Sequence, residues 1–183
     1  MKKFLVATGL VATVTAILVV FVLPTNVVKE LLLPLRHEDV IRQESAQWRI
    51  EPALVAGVIF SESRFRDQTS EANARGLMQI TPATAHEVER LSGGTDFQLS
   101  DLSDPDVNIS YGTFYLRHLL DRFEQNEVAA LAAYNAGQGN VARWGGASLT
   151  LDDIRFPETR SYVEQVLAKE REYRQKYARE LGY

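Results

Sequence analysis

The chain has 183 residues, 45% of them hydrophobic and 24% charged, which is the composition of one folded globular domain and not of a disordered protein. The net charge is -4, and because residues 1–35 carry +2, the rest of the chain carries -6. This acidic body argues against a nucleic-acid partner, since binding phosphates requires a basic face. The absence of cysteine excludes disulfides, thiolate metal ligands and a catalytic thiol.

The N-terminal segment predicts a membrane anchor. Residues 4–23 are an uncharged run of 20 residues, and at about 1.5 Å per residue such a helix crosses a hydrocarbon core of about 30 Å. Lys2 and Lys3 favour a cytoplasmic N-terminus with the remainder exported. A cleaved signal peptide is the alternative, but its apolar region spans only about 7–15 residues, and no small-residue cleavage site follows Leu23.

These features predict a single-pass protein of the cell membrane. Residues 1–35 are expected to form a short cytoplasmic stub, the anchor and a linker, and residues 36–183 a domain outside the cytoplasm. If the N-terminal segment were cleaved, the protein would instead be secreted.

The pattern from residue 36 onward predicts an all-α domain. Proline stands at the expected first position of four helices, and no stretch alternates apolar and polar residues as a strand would. Asn126 and Gly137 suit the N-cap and the C-terminal glycine of a fifth helix. The predicted helices are 38–48, 53–65, 83–91, 106–123, 127–135 and 158–181, and the loop-rich stretches are 64–81 and 136–156.

One carboxylate follows an apolar helical stripe. In the helix after Pro52, Val58 and Ile59 belong to this stripe, and Glu62 continues it four and three residues later. A carboxylate on a core face at a helix C-terminus loses hydration and meets a negative dipole, so its pKa should rise. A carboxyl that is protonated near neutral pH is suited to general acid catalysis. The alternative is that the helix frays by Ser61 and Glu62 turns to water.

Glu62 begins a series of five motifs in a fixed order along the chain. They are Glu62-Ser63, Ser70, Gly76-Leu77-Met78-Gln79, Ala133-Tyr134-Asn135-Ala136-Gly137 and Glu158-Thr159-Arg160-Ser161-Tyr162-Val163. In this order they resemble the catalytic domain of the soluble lytic transglycosylase family. These lysozyme-like enzymes cut the glycan strands of peptidoglycan, and the resemblance covers about residues 38–175. It implies a lysozyme-like helical fold.

The resemblance also implies residue roles. Glu62 matches the single catalytic acid/base of the family. Six further positions are implied to line the substrate cleft: Ser70, Gln79, Thr81, Tyr134, Asn135 and Glu158. Thr81 stands where some family members carry a methionine that contacts sugar. The helix around Tyr162 is implied to support the cleft wall.

The implied reaction is a lyase-type cleavage without cofactor or metal. Glu62 would protonate the oxygen between N-acetylmuramic acid and N-acetylglucosamine. It would then accept the proton of the muramyl C6 hydroxyl, which closes a 1,6-anhydro ring. The expected partners are peptidoglycan strands and, through the N-terminal helix, the membrane; protein partners are not indicated.

Several alternatives stay open from the sequence. A lysozyme-like hydrolase would use a second carboxylate, for which Asp67, Glu71, Asp101 and Asp104 are candidates. An inactive glycan-binding module of a cell-envelope assembly is the alternative from another class. For individual residues, Tyr134 could be a core residue whose hydroxyl bonds locally, and Glu158 could only complement its helix dipole.

Overall fold

A computed structural model describes residues 30–70, 73–94 and 98–183 and divides the chain into two units, Met1–Pro34 and Leu35–Tyr183. In the first unit, residues 30–32 are helical. The predicted span at residues 4–23 lies outside the described residues. Among the residues that are described, no helix combines the length and the apolar character needed to cross a bilayer.

The second unit is helical, as predicted. Its α-helices are α1 (Glu38–Trp48), α2 (Pro52–Ser63), α3 (Pro82–Ser92), α4 (Pro105–Arg122), α5 (Glu127–Ala136), α6 (Gln138–Trp144), α7 (Pro157–Lys176) and α8 (Ala178–Leu181). Three short 3₁₀ helices occupy Leu99–Ser103, Gly146–Ser148 and Leu151–Asp153. The described residues contain no strand, only two isolated antiparallel bridges at Thr69–Arg75 and Arg75–Ile80.

Two predicted boundaries need correction. The stretch 136–156 contains α6, which sequence reasoning missed because it is only seven residues long and lies between Gly137 and Gly145. The predicted helix 158–181 is interrupted at Tyr177, where φ is -130°, and resumes as α8. The glycines on either side hide the short helix α6 from sequence analysis. The break at Tyr177 is a local change of backbone angle in a segment that is otherwise helical, as predicted.

Helix α2 lies at the centre of the domain. Every residue from Ala53 to Phe60 is buried, whereas the apolar stripe alone predicted one buried face. The helix packs chiefly on α7, and at Gly57 the two backbones come very close. A Cβ at that position would lie 3.0 Å from the Val166 carbonyl oxygen and 3.1 Å from the Glu170 nitrogen. This contact joins the middle of α2 to the middle of α7.

Candidate active site

Glu62 lies in the last turn of α2, and the helix is intact to Ser63. The Ser63 hydroxyl donates to the Ile59 carbonyl at 3.2 Å, which supports this turn. Arg64 then ends the helix at φ 53°, and Phe65 follows at φ 60°, two consecutive left-handed residues without glycine. The predicted alternative, a helix frayed by Ser61, is therefore wrong.

Burial dominates the electrostatics of Glu62. Loss of hydration raises the pKa of its carboxyl from 4.5 to about 7, as the sequence pattern predicted in direction. The nearby Tyr162 hydroxyl opposes this rise and lowers the pKa, but it makes no hydrogen bond of standard geometry. No charged side chain among the described residues forms an ion pair with Glu62. The carboxyl is thus close to half protonated at neutral pH.

Tyr134 reaches the same place from α5. Burial raises the pKa of its phenol well above the usual value, and the charge of Glu62 adds to the rise. The hydroxyl donates to the Met78 carbonyl oxygen at 2.9 Å, a bond between residues 56 positions apart in the chain. Tyr134 and Tyr162 therefore face Glu62 from two different helices.

Gln79 lies in a turn that follows α2 and precedes α3. Its side-chain Nε2 donates to the Gly76 carbonyl at 2.9 Å and to the Gln68 carbonyl at 3.0 Å. Gln68 in turn donates to the backbone carbonyl of Glu62 at 3.3 Å. Gln79 itself has a φ of 48°. Both amide hydrogens are used within the protein, which leaves its Oε1 as the atom available to a ligand.

Ser70 and Thr81 are used in local turns. Ser70 is exposed, and its hydroxyl oxygen accepts from the Ala74 backbone at 3.2 Å. Thr81 is the N-cap of α3, where its oxygen accepts from the Thr84 backbone at 3.1 Å. Neither makes a hydrogen bond with Glu62 or Tyr134 within the described ranges. A ligand would have to bridge them to the rest of the site.

Asn135 and Glu158 lie where the end of α5 meets the start of α7. The Asn135 Oδ1 accepts from the Thr159 hydroxyl at 2.7 Å, which leaves its amide hydrogens for other partners. Glu158 is exposed in the first turn of α7. An acidic side chain there complements the helix dipole, and the place of Glu158 at the cleft stays a prediction.

Tyr162 is the site residue whose role sequence reasoning underestimated. It was expected to support the cleft wall, yet its buried hydroxyl acts directly on the pKa of Glu62. The available signal is its spacing: Thr159, Tyr162 and Val163 follow the i, i+3, i+4 pattern of a helix face turned inward. That pattern indicates burial but not which side chain the hydroxyl meets.

Comparisons with known proteins identify the family of this chain. The family model described as "Transglycosylase SLT domain" matches residues 39–156. The soluble lytic murein transglycosylase of Escherichia coli (strain K12) is 35% identical over 150 residues, which cover 77% of this chain and 23% of that protein. The membrane-bound lytic murein transglycosylase C of Actinobacillus pleuropneumoniae serotype 5b (strain L20) is 35% identical over 118 residues, or 59% and 32% of the two chains.

Among solved structures, an inactive mutant of the lytic transglycosylase Slt from Pseudomonas aeruginosa superposes with a TM-score of 0.76 at 33% identity. The match covers 82% of this chain and 26% of that one. This chain therefore spans about a quarter of the length of the soluble relatives that it matches.

Proposed function

This chain belongs to the transglycosylase SLT domain family, and from that membership we propose that it is a peptidoglycan lytic transglycosylase. Its reaction cleaves the bond between N-acetylmuramic acid and N-acetylglucosamine and leaves a 1,6-anhydro end. Residues 36–183 form the catalytic domain of this proposal, and Glu62 is its single acid/base.

The observation that carries the proposal is the burial of Glu62 in the last turn of α2 beside Tyr162, which raises the pKa of its carboxyl to about 7. A group that first gives a proton and then takes one back is most effective when its pKa is near the working pH. An ordinary exposed glutamate, with a pKa near 4.5, would be almost wholly ionised at neutral pH and could not act as the acid. Burial in the α2–α7 contact provides the required shift.

The proposed steps follow from this group. Protonated Glu62 gives its proton to the glycosidic oxygen as the bond to the muramyl C1 breaks, and the sugar's own 2-acetamido group stabilises the developing positive charge. The carboxylate then removes the proton of the C6 hydroxyl, whose oxygen bonds to C1. Tyr162 is placed to stabilise the carboxylate between the two steps, because it lowers the pKa of Glu62. The C6 oxygen replaces water, so no water is consumed.

The lysozyme-like hydrolase is the weaker alternative, and two of its four candidate second carboxylates are engaged in local backbone hydrogen bonds. Asp101 Oδ2 accepts a hydrogen bond from the Gln98 backbone nitrogen at 2.9 Å. Asp104 caps α4, because its Oδ1 accepts a hydrogen bond from the Asp106 backbone nitrogen at 2.8 Å. Asp67 is exposed, and Glu71 lies outside the described residues. The side chain that shifts the pKa of Glu62 is that of Tyr162 and not a second carboxylate, so substrate-assisted chemistry with one carboxylate fits better than a pair.

The products test the reaction type. We expect the 183-residue chain to release muropeptides that end in 1,6-anhydro-N-acetylmuramic acid from purified sacculi, because the C6 hydroxyl is the internal nucleophile. Mass spectrometry distinguishes these from hydrolytic products, which are heavier by one water. Reducing ends as the only product would identify a hydrolase, and an absence of any cleavage by a folded chain would favour the inactive glycan-binding module.

We also propose that residues 4–23 anchor the domain outside the cytoplasm. The support is the uncharged length of this run behind Lys2 and Lys3. A relative with the same domain is named membrane-bound, which makes a membrane location compatible with the family. Peptidoglycan lies outside the cytoplasmic membrane, so the orientation and the proposed substrate agree.

Fractionation tests the anchor. The expressed chain is expected to stay at its full mass of 20.6 kDa in the membrane fraction and to resist extraction by carbonate but not by detergent. A matched chain with Val11 and Val14 replaced by Arg should leave the membrane, since each central charge costs about 2.5–3.5 kcal/mol. Recovery of a shorter soluble protein that begins near residues 24–30 would contradict an uncleaved anchor.

A further inference from the structure

A buried asparagine holds the turn that carries Met78 and Gln79. Asn108 of α4 is fully buried, and all of its side-chain hydrogen-bonding groups are paired with backbone. Its Oδ1 accepts from the Met78 nitrogen at 2.8 Å, and its Nδ2 donates to the carbonyls of Arg75 at 2.8 Å and Leu102 at 3.0 Å. A side chain bonded at three points fixes the turn far more firmly than packing alone.

The surroundings of Asn108 show how closely the turn fits on α4. A Cβ at Gly76 would lie 2.3 Å from Asn108 Nδ2, and one at Gly112 would lie 2.3 Å from the Met78 sulfur. Asn108 and Gly112 are one helical turn apart on the same face of α4. On this face Asn108 therefore binds the backbone of Met78, and Gly112 leaves room for the Met78 side chain.

Residue Met78 connects this contact to the Glu62 region. Its backbone N–H donates to Asn108 Oδ1, and its carbonyl oxygen, in the following peptide group, accepts a hydrogen bond from the Tyr134 hydroxyl. A tyrosine has one hydroxyl proton, so a Tyr134 that donates to Met78 does not donate to Glu62. Tyr134 from α5 and Tyr162 from α7 are the titratable groups that face Glu62, and no charged residue of the described part pairs with it.

We propose that Asn108 is a positioning residue that, through the backbone of Met78, keeps the Tyr134 hydroxyl directed away from the Glu62 carboxyl. If the hydroxyl were free to donate to the carboxylate, it would stabilise the ionised form of Glu62. The acid would then lose its proton at a lower pH. This inference rests on the proposed function and deepens it. The first step needs protonated Glu62, and Asn108, a residue of another helix, helps to keep Glu62 protonated.

The direct test is the titration of Glu62 by NMR. The full chain is labelled with 13C at the glutamate side-chain carboxyl and kept in a mild detergent, and the Glu62 signal is assigned by its absence in Glu62→Gln. We expect a midpoint of about 7 in the unsubstituted chain. In Asn108→Ala we expect the midpoint to fall by about one pH unit, the size of one added hydrogen bond to a charged group.

Asn126→Ala provides a matched control. Asn126 also makes three bonds from side chain to backbone: its Nδ2 donates to Ala147 and Leu149 at 2.9 Å each, and its Oδ1 accepts from Ala129 at 3.1 Å. It lies at the start of α5, two turns before Tyr134. This variant should lose comparable stability while its Glu62 midpoint stays near 7, which separates positioning from general destabilisation.

Tyr134→Phe tests the route. In that background Asn108→Ala should no longer move the midpoint, because the hydroxyl that would donate to Glu62 is gone. A fall that persists without the hydroxyl would overturn the proposal and point to entry of water. If Asn108→Ala does not fold, Tyr134→Phe alone still decides: an unchanged midpoint supports a hydroxyl directed at Met78, whereas a clear rise shows that it already donates to Glu62. None of these readings depends on turnover, so they stay valid whether or not the proposed cleavage is found.

Discussion

Glu62→Gln is expected to reduce the release of anhydromuropeptides by at least about 10²–10⁴-fold, because no other described carboxyl is placed to donate or accept the proton. Gln keeps the shape of the side chain, so the variant should fold. Turnover of purified sacculi at pH 7 measures the effect. As a control, Glu127→Gln removes another partly buried acid whose pKa is raised by burial, and it should leave turnover within about twofold of the original.

The same variant has an opposite effect on stability, and its sign follows from linkage. Glu62 has a folded pKa of about 7 against 4.5 for the ordinary group, so the native state holds its proton over that interval while the unfolded chain releases it. The free energy of unfolding therefore falls as the pH rises from about 4.5 through 7. The full difference is equivalent to about 3 kcal/mol. Below pH 4.5 both states are protonated and no loss arises by this route.

Glu62→Gln removes this titration, so its stability relative to the original chain should improve as the pH rises. We expect the difference in the free energy of unfolding between the two chains to shift in favour of Gln by about 2–3 kcal/mol between pH 4 and pH 8. Urea unfolding at both values measures it. If the variant retained turnover, Glu62 would not be the catalytic acid. An inactive variant that becomes relatively less stable at pH 8 would show that the carboxylate has a structural role instead.

Gly57→Leu is expected to cause the largest loss of stability, about 3 kcal/mol or more, because an inserted side chain must separate α2 from α7. The obstacle is backbone, the Val166 carbonyl at 3.0 Å from the new Cβ, and backbone cannot turn aside as a flexible side chain can. Thermal or urea unfolding measures the loss. Since the same contact brings Glu62 to Tyr162, the fraction that folds should also show a lower Glu62 midpoint, as water reaches the carboxyl.

Gly139→Leu is the control for this substitution. Gly139 is exposed in α6, and a Cβ there would meet only the Arg143 side chain at an ordinary 3.8 Å. Leu is a better helix former than Gly by about 0.8 kcal/mol, so this variant should be neutral or slightly stabilised. Equal losses at both positions would contradict the close α2–α7 approach as the cause.

The helices and their caps could be predicted from local sequence. Pro52, Pro82, Pro105 and Pro157 each open a helix, and Asn126 and Gly137 bound α5 as expected. The raised pKa of Glu62 was also predictable in direction, because the side chain continues an apolar stripe. These features depend on residues within one or two turns of each other, where spacing in the chain is spacing in the structure.

Local patterns were therefore enough to establish the helical class, the position of the acid on α2 and the order of the motifs that identify the family. Only the packing of distant segments shows that α2 is buried on all sides, that Tyr162 faces Glu62, and that Asn108 and Tyr134 both bond to the backbone of Met78. The bonds from Met78 to these two residues join positions 30 and 56 residues apart. Helical periodicity states which face of a helix is buried, but the partner of that face depends on how distant helices pack, and no local pattern contains that information.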